Sequence, residues 1–261
     1  MGGLCHRALE LTGIAGDPGS RVHRLDPRAK IVGLLGVTLV AVSTPLERWP
    51  VYVACAAVLA LYAAVARVGP GPLWRRVRVV LPLVLLVGVL VPLVRTGGEA
   101  YALGPLTVHA AGLAIFAAVA AKATLGTLSA ALLGATTTFP AVLRGLEALR
   151  VPRLLVLIAA FMYRYLFVIV GEVGRMRWAL LARGYRPRHA LHAGPMGRVA
   201  TAMFLRTYGR GERVYLAMLA RGYRGAMPQL VPLSLGRSDV AFVAVVMLAI
   251  VPLRVIGGAP P

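Results

Sequence analysis

Five apolar segments, separated by shorter polar and basic stretches, dominate the pattern of the chain. They cover Ile31–Leu46, Val51–Ala66, Val79–Val94, about Val108 to Leu133, and Val240–Leu253. Most are shorter than the ~20 residues that a helix needs to cross a bilayer, so we expect flanking residues and snorkelling arginines to complete them. The pattern therefore predicts an all-α membrane protein with about five transmembrane helices.

Two of these segments carry informative polar residues. Asp26 and Pro27 stand just before the first segment and suit the N-cap and first position of a helix. Lys122 is the only Lys, Arg, Asp or Glu between Ala100 and Leu143, and no turn signal near it divides that stretch, which predicts one long span. Inside a membrane, Lys122 is a candidate functional residue, but snorkelling and a helix contact are equally open readings.

A further apolar stretch, Leu154–Val170, is better explained without a membrane crossing. Basic loops at Arg21–Lys30, Arg67–Arg78 and Arg144–Arg153 belong on one side of the membrane, and four preceding spans satisfy this. A fifth crossing here would place the arginines of 175–237 outside. We therefore expect a helix that is buried among protein helices or lies at the membrane surface.

This topology divides the chain into three regions. Residues 1–133 form a cytoplasmic N-terminal segment and the first four spans. Residues 134–238 form a cytoplasmic, arginine-rich, helical insert, and residues 239–261 form the last span and an external tail. The insert lies between spans four and five, which suits a coupling subunit better than a pump core.

Composition agrees with a membrane location and excludes several other classes. Of 261 residues, 59% are hydrophobic, and 29 basic residues against 9 acidic ones give a net charge of +20. Nucleic acid is not the expected partner, because the arginines lie between apolar segments, where positive cytoplasmic loops belong. The polar stretch Gly13–Lys30 argues against a signal peptide.

No pattern in the sequence predicts a metal site, a cofactor or a catalytic centre. Cys5 and Cys55 are far apart, and His189 and His192 lack further ligands at suitable spacing. There is no phosphate-binding glycine loop followed by lysine. We expect no catalytic, metal-binding or cofactor-binding residues and do not expect an enzyme.

The most specific motif is a repeat. Residues 179–186 (ALLARGYR) return 38 positions later as residues 217–224 (AMLARGYR), with seven of eight residues identical. Each copy has an arginine four residues upstream, Arg175 and Arg213, on the same helix face as Arg183 and Arg221. Small alanines between the arginines admit a close neighbour. Two matched basic helix segments indicate docking to a partner that has two matching binding sites.

Arg-Gly is also an ordinary helix ending. Arginine complements the helix dipole, and glycine takes the left-handed cap position. One copy alone would favour this structural interpretation. Two copies with the same upstream arginine favour docking, and both interpretations are compatible.

At these residues the chain resembles the transmembrane coupling (T) component of energy-coupling factor (ECF) transporters, and within it the cobalt/nickel-type CbiQ family. The resemblance runs nearly end to end. It is carried by 25–30 (LDPRAK), 137–140 (TTFP), Val151-Pro152, 162–168 (MYRYLFV) with Glu172, Arg175-Met176, both Ala-Arg-Gly motifs and 205–215 (LRTYGRGERVY). Gly171, Thr207, Gly209 and Gly211 depart from the family pattern without touching the Ala-Arg-Gly triplets.

The resemblance implies a non-enzymatic subunit of an ATP-driven importer in the inner cell membrane. It would join two cytoplasmic ATPases to a membrane-embedded, substrate-binding S component, with cobalt or nickel as cargo. A vitamin-type S component is the alternative. The implied ATPase-coupling residues are Ala182, Arg183, Gly184, Ala220, Arg221 and Gly222, with Arg175 and Arg213 as the supporting face.

Two functions from other classes are weaker. A membrane enzyme acting on anionic lipid or prenyl diphosphate needs clustered carboxylates for magnesium, and the nine acidic residues are not paired at motif spacing. A secondary transporter predicts repeated membrane halves, whereas this repeat lies in the insert.

Overall fold

The computed structural model describes residues 20, 22–45, 48–94, 100–103, 106–185, 194–225 and 235–256. Its elements are α1 (Pro27–Ser43), α2 (Trp49–Val65), α3 (Pro70–Val94), β1 (Ala100–Leu103), β2 (Leu106–His109), α4 (Ala110–Thr136), α5 (Phe139–Ala148), α6 (Arg153–Ala182), α7 (Gly194–Ala220) and α8 (Arg237–Ile256). The helices divide into two compact units. One contains α6 and α7, and the other contains the remaining elements.

The start of α1 confirms the signal predicted from sequence. Asp26 is the N-cap and accepts a hydrogen bond from the backbone N–H of Arg28 at 2.8 Å, and Pro27 is the first helical residue. An N-cap acceptor satisfies one of the backbone donors that a helix start leaves without a partner. The first apolar segment is therefore helical from the position that the sequence predicts.

The core of the larger unit is formed by α1, α2, α4 and α8. Val37 of α1, Cys55 of α2, Leu132 of α4 and Ile250 of α8 are almost fully buried in one cluster. Gly33 and Gly36 of α1 allow α8 to approach closely. A Cβ at Gly33 would lie 2.8 Å from the ring of Phe242. Small residues at such contacts are typical of membrane helix packing.

The all-α prediction is confirmed for most of the described residues, and one short antiparallel hairpin is added to it. β1 pairs with β2 from Ala100 opposite His109 to Leu103 opposite Leu106. Tyr101, Thr107 and Val108 favour strands, and their preference overrides the apolar pattern that placed a helix from about Val108. The long helix instead begins at Ala110 and continues without a break past Lys122 to Thr136.

Helix α6 contains the apolar stretch Leu154–Val170. It runs for 30 residues, and only Val156 and Glu172 of its residues are buried. Within its own unit, most of this stretch is therefore exposed, and its surroundings stay a prediction. Leu154, Ile158 and Met162 are exposed along it, which leaves a large apolar surface.

By length and composition, two described helices are able to cross a membrane. They are Ala114–Thr136, within α4, and Arg153–Ala182. α2 is apolar but shorter, and α3 includes Arg75, Arg76 and Arg78, which the loop assignment had placed before it. The predicted count of five spans stays a prediction. For α6, the case against a crossing rests on the distribution of charge and not on the composition of the helix.

Candidate functional site: two arginine-glycine helix ends

The first Ala-Arg-Gly copy terminates α6 through a complete Schellman motif. Arg183 is the C-cap, and Gly184 adopts φ +78°, in the left-handed region. The N–H of Gly184 donates to Leu181 O at 3.0 Å, and the N–H of Tyr185 donates to Leu180 O at 3.0 Å. These bonds satisfy carbonyls that a helix end would otherwise leave without partners.

The second copy terminates α7 with the same geometry. Gly222 also adopts φ +78°. Its N–H donates to Leu219 O at 2.9 Å, and the N–H of Tyr223 donates to Met218 O at 3.0 Å. The helix-cap interpretation of the repeat is therefore confirmed in both copies. The docking interpretation is compatible with it, because a cap of this kind holds the arginine at a defined point on the helix end.

All six residues of the two triplets are exposed: Ala182, Arg183, Gly184, Ala220, Arg221 and Gly222. A Cβ added at Gly184 or Gly222 would meet no atom within 4 Å. Glycine is thus required at these positions by backbone conformation and not by crowding within the chain. The two triplets present small, charged surfaces that a partner could reach.

The supporting arginines also match between copies. Arg175 and Arg213 are exposed, one turn before Ala179 and Ala217. The Nη1 atom of Arg175 lies 3.6 Å from the Cβ position of Gly171, and Arg213 Nη1 lies 3.6 Å from that of Gly209. The repeat thus extends upstream to include a glycine over which the arginine folds back.

Sequence reasoning did not assign a role to Glu172, which the structure places against α7. Its carboxylate Oε1 accepts a hydrogen bond from Arg206 Nη1 at 3.2 Å, and Oε2 lies 3.5 Å from Arg210 Nη2. Glu172 is buried, with 7% of its surface exposed. One signal was present, since the 38-residue offset of the repeat relates Glu172 to Arg210, a residue of opposite charge.

A second polar cluster, in the larger unit, was only partly predicted. The Lys30 ammonium is 2% exposed and donates to the carbonyls of His23 and Thr136, each at 3.1 Å. The N–H of Asp26 donates to Asp239 Oδ1 at 2.8 Å, and the other oxygen of Asp239 accepts from the N–H of Gly236. The cluster ties the start of α1 to the end of α4 and the start of α8.

Burial changes the acidity of this lysine. Lys30 precedes the first apolar segment, and its removal from water lowers its pKa from 10.5 to about 8, while the charges of Asp239 and Asp26 oppose the change. The neutral form of the amine is therefore populated at mildly alkaline pH. The sequence shows Lys30, Asp26 and Asp239 as charged residues at the ends of apolar segments. It does not show that they form one cluster, because their partners lie far away in the chain.

The remaining candidates are the possible metal ligands and Lys122. Among the described residues there is no group of three or more His, Cys, Asp or Glu able to hold a metal ion. His189 and His192 lie outside the described residues. Lys122 is half-buried in α4.

Comparison with known proteins places the chain in a family. Residues 18–232 match the family model CbiQ, described as cobalt transport protein. The chain is 30% identical to the cobalt transport protein CbiQ of Rhodobacter capsulatus, over 78% of this chain and 84% of that protein. It is 27% identical to the energy-coupling factor transporter transmembrane protein EcfT of Acidaminococcus fermentans, over 89% of this chain and 91% of that one.

Other relatives are matched over only part of their own length. It is 30% identical to a putative ABC transporter ATP-binding protein of Bifidobacterium longum, over 90% of this chain but 32% of that protein. The chain spans between 32% and 39% of the length of the first three curated relatives that it matches. With most of its length matched by one family model, the chain belongs to the CbiQ cobalt transport protein family, whose members are membrane components of transporters and not enzymes.

Proposed function

We propose that this chain is the transmembrane coupling subunit of an ATP-driven ECF-type importer for cobalt or nickel. It would join two cytoplasmic ATPases to a membrane-embedded S component that binds the ion. The observation that carries the proposal is the matched pair of exposed Arg-Gly helix ends, at Arg183 and Arg221. The names of the EcfT and ATP-binding relatives support an ATPase partner, and that of the CbiQ relative supports cobalt.

Each helix end would enter a groove on one ATPase. A guanidinium is planar and permanently charged, and it can form two parallel hydrogen bonds to a carboxylate or to carbonyls in the groove. The alanines Ala182 and Ala220 would allow the groove wall to come close. Arg175 and Arg213, about two turns upstream on the same helix face, would extend each contact along the helix.

ATP-driven closing of the ATPase pair would then draw Arg183 and Arg221 together. Because each arginine belongs to a hydrogen-bonded cap, its displacement moves the whole helix and not only a side chain. The helices would transmit that motion to the membrane-embedded part, and the S component would reorient. The chain would work as a two-state mechanical coupler.

The proposed location is the inner cell membrane, with several crossings and with residues 134–238 in the cytoplasm. The exposed apolar residues of α6, such as Leu155 and Ile158, would contact lipid, the S component or an ATPase.

Charge reversal at the two helix ends tests the proposal. We expect Arg183→Glu and Arg221→Glu each to weaken co-purification of the ATPases with tagged protein, and the double variant to abolish it. Loss of one partner from a desolvated charged contact costs roughly 2–5 kcal/mol. Arg183→Ala should be milder, because it adds no repulsion. Arg198→Glu is the matched control, since it reverses an exposed arginine on α7 away from the helix end.

Uptake is measured alongside co-purification. Ala182→Leu and Ala220→Leu should hinder docking without changing charge, and all variants should fold because these positions are exposed. If the double charge-reversal protein still binds both ATPases and supports ATP-dependent uptake, the repeat serves only as a pair of caps. Reconstituted transport without any ATPase would favour a secondary transporter instead.

A further inference from the structure

The two long helices α6 and α7 meet over a short stretch. Outside it they pack little against each other, and every residue of α7 is at least partly exposed. The buried residues of α6 are Val156, near its start, and Glu172, near the middle. Apolar packing between the two helices is therefore too small to define the angle at which they meet.

A charged clasp, defined as Glu172 with Arg206 and Arg210, lies at this meeting point. Arg206 donates a hydrogen bond to one carboxylate oxygen, and Arg210 makes an ion pair with the other at 3.5 Å without hydrogen-bond geometry. The side chain of Glu172 is 9% exposed, against 65% for Arg206 and 36% for Arg210. A buried acceptor thus faces two arginines that are more exposed than it is.

The clasp occupies equivalent positions of the repeat. Adding the 38-residue offset to Glu172 gives Arg210, so the two helices contact each other through the same position of each copy. Arg183 follows Glu172 by 11 residues, and Arg221 follows Arg210 by 11. At 1.5 Å of rise per residue, each docking arginine lies about 16 Å along its helix from the clasp.

We propose that Glu172 is the positioning residue at the pivot of the two coupling helices, where it holds Arg183 and Arg221 at a defined separation. This deepens the proposed function and rests on it. With arms of about 16 Å, a rotation of each helix by about 10° moves its arginine by about 3 Å. Loss of this contact would therefore broaden the range of distances between Arg183 and Arg221 by about the length of a hydrogen bond.

Charge supplies the restraint at this pivot because apolar packing between the helices is small. Interlocked apolar side chains fix an angle only over a broad surface, and α6 and α7 share little such surface. The ionic contact at Glu172 therefore supplies most of the restraint on the angle between them. Buried charged contacts are strongly destabilised when one partner is removed, and their best-attested use is to specify register.

The direct test measures the distance between the two helix ends in the full chain. Spin labels at Leu181→Cys and Leu219→Cys occupy equivalent exposed positions, in a chain whose native cysteines are replaced. In lipid nanodiscs, we expect one narrow distance distribution for the unaltered clasp. Glu172→Gln should broaden it by several ångströms, and Glu212→Gln should not, although it removes the same charge from an exposed site on α7.

Rescue separates a positioning role from a merely structural one. Glu172→Arg with Arg210→Glu restores an opposite-charge pair between the same positions, and it should narrow the distribution again relative to either single change. Arg210→Gln, on the more exposed partner, provides a second route that does not disturb the buried residue. Glu172→Asp keeps the charge and should behave between the unaltered chain and Glu172→Gln.

The functional readout is uptake per ATP hydrolysed by the assembled transporter. We expect Glu172→Gln to keep both ATPases bound, because Arg183 and Arg221 are intact, and to lower this ratio by about 30-fold, the low end of the scale for losing one buried charged partner. An unchanged distance distribution and an unchanged ratio in Glu172→Gln would overturn the pivot. If the unaltered chain binds no ATPase, the proposed function fails, while the distance measurement on the chain alone still decides the pivot.

Discussion

Replacing the cap glycines with alanine measures the energetic cost of the left-handed backbone conformation in the repeated motif. Gly184 and Gly222 both adopt φ +78°, and a Cβ at either position would meet no atom within 4 Å. Gly174 and Gly211 lie inside α6 and α7 and are equally open, but neither has a positive φ. The same substitution at the two kinds of site therefore differs only in backbone conformation.

The expected effects have opposite signs. Alanine in the left-handed conformation costs roughly 1–2 kcal/mol, with no steric contribution to add at Gly184 or Gly222. Inside a helix, the change from glycine to alanine is favourable by about 1 kcal/mol. Gly184→Ala and Gly222→Ala should thus loosen the helix ends, while Gly174→Ala and Gly211→Ala should stabilise their helices.

Hydrogen exchange is the assay, read at the amides that close the caps. The N–H of Tyr185 donates to Leu180 O, and the N–H of Tyr223 donates to Met218 O. A loss of about 1–2 kcal/mol should speed their exchange by roughly 5- to 30-fold. Each substitution should act on its own cap and leave the other unchanged.

Comparison with Gly174→Ala and Gly211→Ala shows whether the effect at a cap glycine comes from its left-handed conformation. If Gly184→Ala leaves exchange at Tyr185 unchanged, or slows it as an interior substitution would, the left-handed glycine does not terminate the helix. The interpretation of the repeat as a pair of rigid caps would then be wrong. The proposed transmission of force through the helix ends would lose its basis with it.

Three further predictions concern the larger unit and the topology. The pKa of Lys30 is lowered from 10.5 to about 8 in the native chain. Between these pH values Lys30 therefore keeps its proton in the unfolded chain and loses it in the native chain. The free energy of unfolding should therefore rise by roughly 3 kcal/mol from pH 8 to 10.5, relative to Lys30→Met, in denaturant titrations in detergent. At Gly36, a Cβ would lie 2.7 Å from Met247 Cε, so Gly36→Leu should separate α1 from α8 and lower the melting temperature, whereas an unchanged melting temperature would contradict the packing. Cysteines introduced at the exposed Arg150 and Arg198 should both resist an impermeant thiol reagent added outside sealed cells, and labelling of only one would show that α6 crosses the membrane.

Local features of the fold could be predicted from the sequence because their causes lie within a few residues. Asp26 and Pro27 predicted the start of α1, and the structure has the helix begin there. Arg183-Gly184 and Arg221-Gly222 predicted two helix ends, and both have the left-handed glycine. Capping depends on hydrogen bonds between residues that are close in the chain, so the sequence contains all the participants.

The hairpin was not predicted, and the surroundings of α6 were left open, for a different reason. Apolar composition alone does not distinguish a strand from the end of a helix, so 100–109 was assigned to a span and its flanks. Nor does it show what covers an apolar helix. Helix α6 was expected to be buried among protein helices or at the membrane surface, and the structure leaves Leu154 and Met162 exposed.

The sequence by itself determined the helical segments, their caps and the paired arginines, because periodicity, capping and repetition are written in neighbouring residues. Only the tertiary structure decided which distant polar groups meet these charges. The backbone N–H of Asp26 donates to the Asp239 carboxylate across 213 residues, Lys30 donates to the Thr136 carbonyl across 106, and Arg206 donates to Glu172 across 34. Such pairs depend on how helices pack, and no local preference of the chain specifies which distant residue will stand opposite a buried charge.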